Sequence, residues 1–513
     1  MAPVPGRVAS IRVAPDSVSI RVGHTLQMSA VVLDSAGDTL SNRSVAWHSS
    51  DTSKVVISTN GLATARGYGP VTITATSDSV SGTAALRVLV PIARIDIRPF
   101  SAVLVPGGSI QYTAVLTGVD GNTLSDREII WNSQAPGTTT VSAIGIATAA
   151  GMGQTAVTAS SEGVTSSPSS ITVTRPSFVS LFSGESSQHT CGVTAAGAVF
   201  CWGENLAGAL GNGTITDSGV VGGLSYPTGV LQPGAITALA TGDGFSCAVT
   251  APSGVTYCWG AGDHNKLGNG SLENRLAPWP IIGGLFASGV AAEHKRGCLL
   301  ATDSLAYCWG DTQQSPTAVP GARKFTALAG GQGGPAFCGL GVDSLAYCGF
   351  IAQQFPQPVP GGVKFVALTV GFQHACGVGA DSLAYCWGQN SSGQLGDSTT
   401  TFRSTPAPVA GPVRFAALAA GGTFTCGLDS TGTAYCWGAN DVGQLGSTTS
   451  PISLVPAAVS GGQGYSQLTA GSSHACGVTT GGVAYCWGWN AYGQLGDGSK
   501  TDRSTPVRVQ GQP

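Results

Sequence analysis

His474-Ala-Cys-Gly-Val-Thr-Thr-Gly-Gly-Val-Ala-Tyr-Cys-Trp-Gly488 contains two short strands around a Thr-Thr-Gly-Gly turn, with nine residues between its cysteines. The chain's fourteen cysteines fall into seven pairs of this kind: Cys191 and Cys201, Cys247 and Cys258, Cys298 and Cys308, Cys338 and Cys348, Cys376 and Cys386, Cys426 and Cys436, Cys476 and Cys486. Six pairs enclose nine residues and one encloses ten, because Thr250-Ala-Pro-Ser-Gly lengthens that turn. The cysteines therefore stay opposite each other on antiparallel strands. Cβ atoms at such positions lie about 4.5–5.5 Å apart, close to what a disulfide requires.

Zinc is the rival explanation, and its spacing is wrong. Metal knuckles use Cys-x2–4-Cys pairs converging on one ion, whereas each pair here has its own hairpin. Closing so short a loop stabilises by roughly 2.5–3 kcal/mol per bridge. A reducing cytosol does not sustain seven such bonds, so the pairs predict an exported protein.

The same register places a small residue opposite every hairpin Trp. It pairs Thr190 with Trp202, Ser246 with Trp259, Gly297 with Trp309, Ala375 with Trp387, Thr425 with Trp437 and Ala475 with Trp487. One repeat has Gly349 in the Trp position, and there the opposing residue is Phe337. Large and small have changed strands while the volume is roughly kept, as close packing requires.

An earlier strand leads into each hairpin, as in Phe325-Thr-Ala-Leu, Phe365-Val-Ala-Leu and Phe415-Ala-Ala-Leu. Pro-containing segments such as Thr405-Pro-Ala-Pro-Val suit edge strands, because Pro removes only an unpaired donor. Four strands per unit at a spacing of 38–56 residues predict propeller blades. The segment Ala484-Tyr-Cys-Trp-Gly-Trp-Asn-Ala-Tyr-Gly-Gln-Leu-Gly-Asp-Gly, with its counterparts from Gly388 and Gly438, resembles the repeat of the regulator of chromosome condensation propeller family. The resemblance covers about 177–513 and implies seven blades. Pro-strands precede hairpins two to seven, so the C-terminal strand 504–511 is expected to complete the first blade and close the ring.

The first 190 residues have no cysteine and contain a different repeat. Val8, Gly37, Trp47, Gly61, Gly67 and Gly69 recur 84 residues later as Ile92, Gly121, Trp131, Gly145, Gly151 and Gly153. Short alternating strands with Gly, Asp and Asn turns predict β-sandwiches with Trp47 and Trp131 as core anchors. Val45-Ala-Trp-His-Ser-Ser-Asp and Val71-Thr-Ile-Thr-Ala-Thr resemble the bacterial Ig-like domain, group 2, over roughly 8–175. Such modules usually act as spacers on surface proteins. The expected fold is thus all-β: Ig-like sandwiches at 1–90 and 91–176, then a seven-bladed propeller at 177–513 with one hairpin disulfide per blade.

Composition narrows the function. Charged residues make up 10% of the chain and the formal net charge is −3, without a basic cluster. That argues against nucleic acid, whose phosphates need clustered Lys and Arg. No apolar run is long enough to span a bilayer. Met1-Ala-Pro-Val-Pro-Gly lacks the basic and apolar regions of a signal peptide, so an exported chain is expected to have had its leader removed or left out.

No catalytic motif stands above the repeats, and no cofactor or metal site is expected. His189, His374 and His474 each sit two residues before a cysteine, which marks them as structural hydrogen-bonding groups. Asp303, Asp343 and Asp381 each begin Asp-Ser-Leu-Ala-Tyr-Cys, where Asp forms a turn. Departures from the repeat carry more information. Repeats three and four lose the Asn-x-x-Gly-Gln-Leu-Gly loop, and repeat one carries the extended Asn212–Gly223 stretch. The face bearing these loops should be lopsided, and function tends to sit in such loops. Trp279 and Trp489 lie outside the hairpin Trp position and are candidate contacts for a sugar or a protein.

The leading expectation is a secreted or surface-exposed bacterial binding or adhesion protein, with no enzymatic activity, that recognises an extracellular protein or glycan. The alternatives are a self-associating filament or sheath subunit, and an extracellular enzyme or enzyme inhibitor. The last follows from the family resemblance, which includes a bacterial β-lactamase inhibitor.

Overall fold

The computed structural model describes residues 6–215, 223–231, 234–331, 337–349, 356–447 and 450–513. They form two compact units, Met1–Ile97 with Ala114–Ile130 and Ala159–Ser167, and Arg98–Thr113 with Trp131–Thr158 and Pro168–Pro513. Among the described residues no helix is long and apolar enough to cross a membrane.

In the first unit, alternation decides which side of each strand is buried. Ser17–Arg21 runs parallel to Val80–Leu89, which pairs antiparallel with Gly69–Ser77 and through it reaches Ala46–Ser49. A second sheet joins Thr25–Gln27, Leu62–Ala65 and Val55–Ile57. Val13, Ile73, Ala75, Leu86 and Val88 fill the space between. Strands recur at the 84-residue offset: Ser101–Leu104 for Ser17–Arg21, Ile130–Ser133 for Ala46–Ser49, Gly153–Ser161 for Gly69–Ser77. Val80–Leu89 returns as two pieces, Val164–Thr165 and Ser169–Val173. Pro168 falls in the gap, where it cannot donate to the ladder.

The two sandwich tryptophans depart from expectation. Trp47 and Trp131 are half-buried and pack at the margin of their cores. A glycine sits beside each ring: a Cβ on Gly61 or Gly145 would meet the indole at 3.1 or 2.9 Å, and both glycines have a φ near +80°.

Seven four-stranded blades follow, built alike, six as separate sheets and the first as part of a nine-stranded sheet. In blade seven the strands are Tyr465–Ala470, His474–Thr479, Ala484–Gly488 and Arg503–Arg508, from the inside outwards. All seven predicted disulfides form between the second and third strands, with Cα atoms 4.0–4.1 Å apart. The six predicted small-residue and Trp pairs are in register. In blade four the Gly349 N–H donates to the Phe337 carbonyl, and Phe337 is fully buried.

Ring closure corrects the expectation from sequence. Each Pro-strand is the outer strand of the hairpin it follows, so Arg503–Arg508 belongs to blade seven and pairs with Ala484–Gly488. Blade one has its own outer strand, Gly223–Gly229, containing Ser225-Tyr-Pro-Thr. The chain leaves each third strand through a loop and returns antiparallel beside it, before it crosses to the next inner strand. Blade one's outer strand is in turn paired to Ser101–Leu104 of the second sandwich repeat, Thr228 lying opposite Leu104.

Candidate binding face

The third strand of a blade ends on a glycine that turns the chain out of the sheet. Gly488 has a φ of +102°, and a Cβ there would lie 2.5 Å from the Ser473 carbonyl. Next comes the Asn-x-x-Gly-Gln-Leu-Gly loop, held from within by its buried Asn. The Asn490 side chain accepts from the Leu495 N–H at 3.0 Å and donates to the Thr501 carbonyl at 3.0 Å. The loop thereby presents the Gln494 carbonyl to blade one, where the Trp202 indole donates to it at 2.9 Å and the Thr190 hydroxyl at 3.1 Å.

The arrangement recurs round the ring. Trp259 donates to Ala209, Trp309 to Lys266, Trp437 to Gln394 and Trp487 to Gln444. A buried indole N–H needs an acceptor, and for these five tryptophans the preceding blade's loop supplies it. Gly349 stands beside a blade that lacks the loop. Blade three has no such loop: its third and fourth strands, Ala306–Gly310 and Gln313–Ala318, are joined by Asp311 and Thr312 alone. Asp311 tolerates the positive φ of this tight turn. The next blade, four, fills the space with Phe337 and dispenses with an indole, whereas blade five keeps Trp387 although repeat four lacks the loop motif too.

The three histidines are structural links between blades. His474 Nε2 lies 2.9 Å from the Thr190 hydroxyl, His374 Nε2 2.9 Å from that of Thr425, and His189 Nε2 2.7 Å from that of Ser246. Full burial holds them neutral, pushing His189 and His474 down to about 3 and His374 to about 4. Where the position holds Phe245 or Phe424 instead, the residue facing the next Trp is Gly297 or Ala475, without a hydroxyl.

The loops all leave one face of the ring, and charge gathers on its first three blades. Lys266 replaces the Gln of the loop, its side chain 5% exposed; its ammonium donates to the Asp243 carbonyl at 3.2 Å and pairs with Asp263 at 3.2 Å. His294 Nδ1 meets the Asp243 carboxylate at 2.8 Å. In blade three Arg296 pairs with Asp311 at 2.8 Å, and the Asn265 side chain donates to the Asp311 carbonyl at 3.1 Å. Burial, reinforced by Asp243, pushes Glu204 up to about 7, and burial does the same to Glu293. Burial also lowers His294, outweighing its Asp243 partner. Glu204 and Glu293 can hold or release protons near neutrality, and the arc offers donors and acceptors side by side. Among the described residues no cluster of His, Cys, Asp and Glu is placed to hold a metal ion.

Sequence reasoning missed this arc, although Lys266 standing where Gln394, Gln444 and Gln494 stand was a visible signal. The predicted low sector is present at blade three, where two residues replace the fourteen between Gly388 and Arg403 in blade five. Most of the short blade-four loop (350–355) and the extended stretch of repeat one (216–222) lie outside the described residues. Trp489 is half-buried on the loop face, edge-on to Tyr492 at 5.5 Å. Trp279 is 50% exposed on the outer strand of blade two, with the Arg275 guanidinium 4.8 Å from its ring centre. The two stand on different blades and, among the described residues, form no common site. The axis is lined by inner-strand residues such as Leu239, Leu328 and Leu418 around a cavity of about 260 Å³. That is below the usual range for a small-molecule pocket, so the loops are the better surface for recognition.

Residues 141–513 match the family described as RCC1-like domain, and residues 7–88 match the bacterial Ig-like domain (group 2). The human E3 ubiquitin-protein ligase HERC2 is 32% identical over 158 residues, covering 29% of this chain and 3% of that protein. Ice-binding protein 1 of Shewanella frigidimarina is 30% identical over 171 residues, 33% of this chain and 19% of that protein. The chain thus spans a small part of the length of either relative. Among solved structures, Prp20p of Saccharomyces cerevisiae superposes with a TM-score of 0.56 at 20% identity, over 62% of this chain and 87% of that one, a likeness of fold. A bacterial Ig-like module joined to such a propeller suggests a binding or adhesion-type protein. The disulfides are consistent with an extracellular setting.

Proposed function

Because the chain belongs to the RCC1-like domain family, we propose that it is a secreted or surface-exposed bacterial protein whose Ig-like modules present a disulfide-stabilised propeller to a partner protein. Recognition, without turnover, falls to the loop face over blades seven, one, two and three. The observation that carries this reading is the concentration of charge there. In a chain with 10% charged residues, Glu204, Asp243, Lys266, His294, Glu293, Arg296 and Asp311 gather on one arc beside a lowered blade. Such an arc gives a partner directional, charge-complementary contacts, which set specificity and encounter rate. The Trp489–Tyr492 pair at its edge adds the aromatic surface that protein contacts favour.

The test uses the full chain, immobilised, against the envelope proteins, secreted proteins and glycans of the producing organism. Binding to a protein, weakened at least tenfold by the double variant His294→Ala/Arg296→Ala, supports the reading. Protein binding that the double variant leaves intact moves the site off this arc. A glycan as the bound species replaces the protein partner, and no binding in any fraction overturns a recognition role.

A further inference from the structure

The ring has one junction that no chain segment crosses from blade to blade. Neighbouring blades elsewhere are joined by the chain itself, running from one outer strand to the next inner strand. Between blades seven and one there is no such link, and no strand is exchanged: blade one comes from Phe178–Gly229 and blade seven from Tyr465–Arg508. Side chains bridge the inner strands. The Gln467 amide bonds both the N–H and the carbonyl of Leu181, at 2.9 and 2.8 Å, and the Thr469 hydroxyl does the same for Ser183, at 2.8 and 3.1 Å.

Farther out, the seam carries the loop contact found at other junctions, the Trp202 indole on the Gln494 carbonyl, and one element more. Strand Ser101–Leu104 of the second sandwich repeat pairs parallel with Ser169–Val173 on one side and antiparallel with Gly223–Gly229 on the other. Alternation then sends its side chains into two cores. Ala102 and Leu104 join Ile110, Val157 and Ile171 inside the sandwich. Val103 and Val105 join Trp202, Leu495 and Val509 between blades one and seven. The fit is close. A Cβ on Gly229 would lie 2.4 Å from Val103 Cβ, and one on Gly511 would lie 2.4 Å from Val105 Cβ.

The first repeat is the internal control. At the offset of 84, Val103 and Val105 correspond to Ser19 and Arg21, both exposed, while the core-facing Ala102 and Leu104 correspond to Val18 and Ile20. The core positions stay apolar in both copies, and the outward positions change from polar to apolar only where the ring covers them.

We propose that strand Ser101–Leu104 is the lock of the ring: the second sandwich closes the seam between blades one and seven and is a working part of the propeller, not a spacer before it. Moving the sandwich away loosens the seam and with it the loops beside it. Those loops include Tyr492, whose carbonyl lies against Gly223, the residue paired with Glu204. The sandwich thereby controls the blade-one end of the loop face, whatever ligand that face takes.

The test is hydrogen exchange on the full chain carrying Val103→Ser/Val105→Arg, the residues of the first copy. Amides of Phe178–Phe182, Gly223–Gly229 and Tyr465–Ala470 should exchange at least tenfold faster, while those of His374–Gly379 and Ala384–Gly388, across the ring, keep wild-type rates. Wild-type rates at the seam, or an equal rise in all blades, overturn the proposal. If the double variant does not fold, Val105→Thr alone, nearly unchanged in shape, should show the same localisation at smaller amplitude, and its absence counts against the lock in the same way.

Discussion

Strands Ser17–Arg21 and Ser101–Leu104 occupy the same place in two copies of one sandwich, 84 residues apart. The first shows two polar side chains to solvent, and the Arg21 side chain, 54% exposed, reaches only Glu162 at 3.5 Å. The second shows two valines to the ring, and Val105 is fully buried. The outward face of this strand thus separates a copy that turns polar side chains outward from one that completes its neighbour. The backbone and the inward face do not differ in kind. What differs is whether another hydrophobic surface claims the outward face.

The largest way to sharpen this contrast is reduction. The first repeat has no cysteine and the ring has seven bridges. At roughly 2.5–3 kcal/mol each, their loss should abolish the ring's thermal transition at ordinary temperature. Calorimetry of the reduced chain should still show the transition of the first sandwich. If both transitions vanish together, the two units are not energetically separate.

Truncation and large-to-small changes come next. Deleting 504–513 removes blade seven's outer strand, and with it Val509 from the seam, so the ring's melting temperature should drop by many degrees. The reason is loss of a blade edge, not of a strand from blade one. Trp202→Ala should cost about 3–5 kcal/mol, because it empties a buried site and removes one of the two donors to the Gln494 carbonyl. Trp47→Ala, at a half-buried margin, should cost about half as much on the same scale. Equal losses in urea titrations would contradict the different burial of the two indoles.

Acid should distinguish the units more gently. His189, His374 and His474 have folded values below the unfolded 6.5, so the unfolded chain binds more protons and stability is lost as pH falls from 6.5 towards 3–4. Glu204 and Glu293 are raised to about 7, so their contribution is full below 4.5 and is lost as pH rises through 7. The two sets oppose each other between pH 4.5 and 6.5, and below 4.5 the histidines are joined by ring aspartates such as Asp311, Asp397 and Asp497, whose lowered values also cost stability as they protonate. The ring's melting temperature should therefore fall most steeply between pH 4.5 and 3.5. His474→Phe/Thr190→Ala, which installs the pairing of Phe424 with Ala475, should flatten that slope; an unchanged slope removes His474 from the account.

The smallest effect expected is Ser19→Val/Arg21→Val, which gives the first repeat the valines of the second. Both positions are exposed and the Arg21–Glu162 pair is a surface one, so stability should change by no more than about 1 kcal/mol. A larger shift in the melting of either unit would mean that the outward face of the first copy also has a partner.

Much of the fold was legible because it is local. Disulfide pairing, hairpin register, the residue opposite each Trp and the Phe337–Gly349 exchange all follow from period-two alternation within a dozen residues. The sandwich repeat was legible by its offset for the same reason. The candidate binding arc was only partly so: Lys266 departs visibly from the Gln of its repeat, but Asp243, His294 and Glu204 come from different blades, and nothing local places them side by side. The pairing of each histidine with a hydroxyl, and of each phenylalanine with Gly or Ala, was present in the sequence but becomes meaningful only once the order of blades is known.

By itself, then, the sequence determined the seven hairpins, their bridges and the two sandwich repeats, because backbone pairing and side-chain alternation act between residues close along the chain. The tertiary structure decided which blade owns each Pro-strand, which carbonyl receives each indole and what Val103 and Val105 cover. Those contacts join residues up to about 400 positions apart. Such contacts depend on which apolar surfaces remain uncovered after the local elements have formed, and a Val facing outward looks the same in a sequence whether or not a partner awaits it.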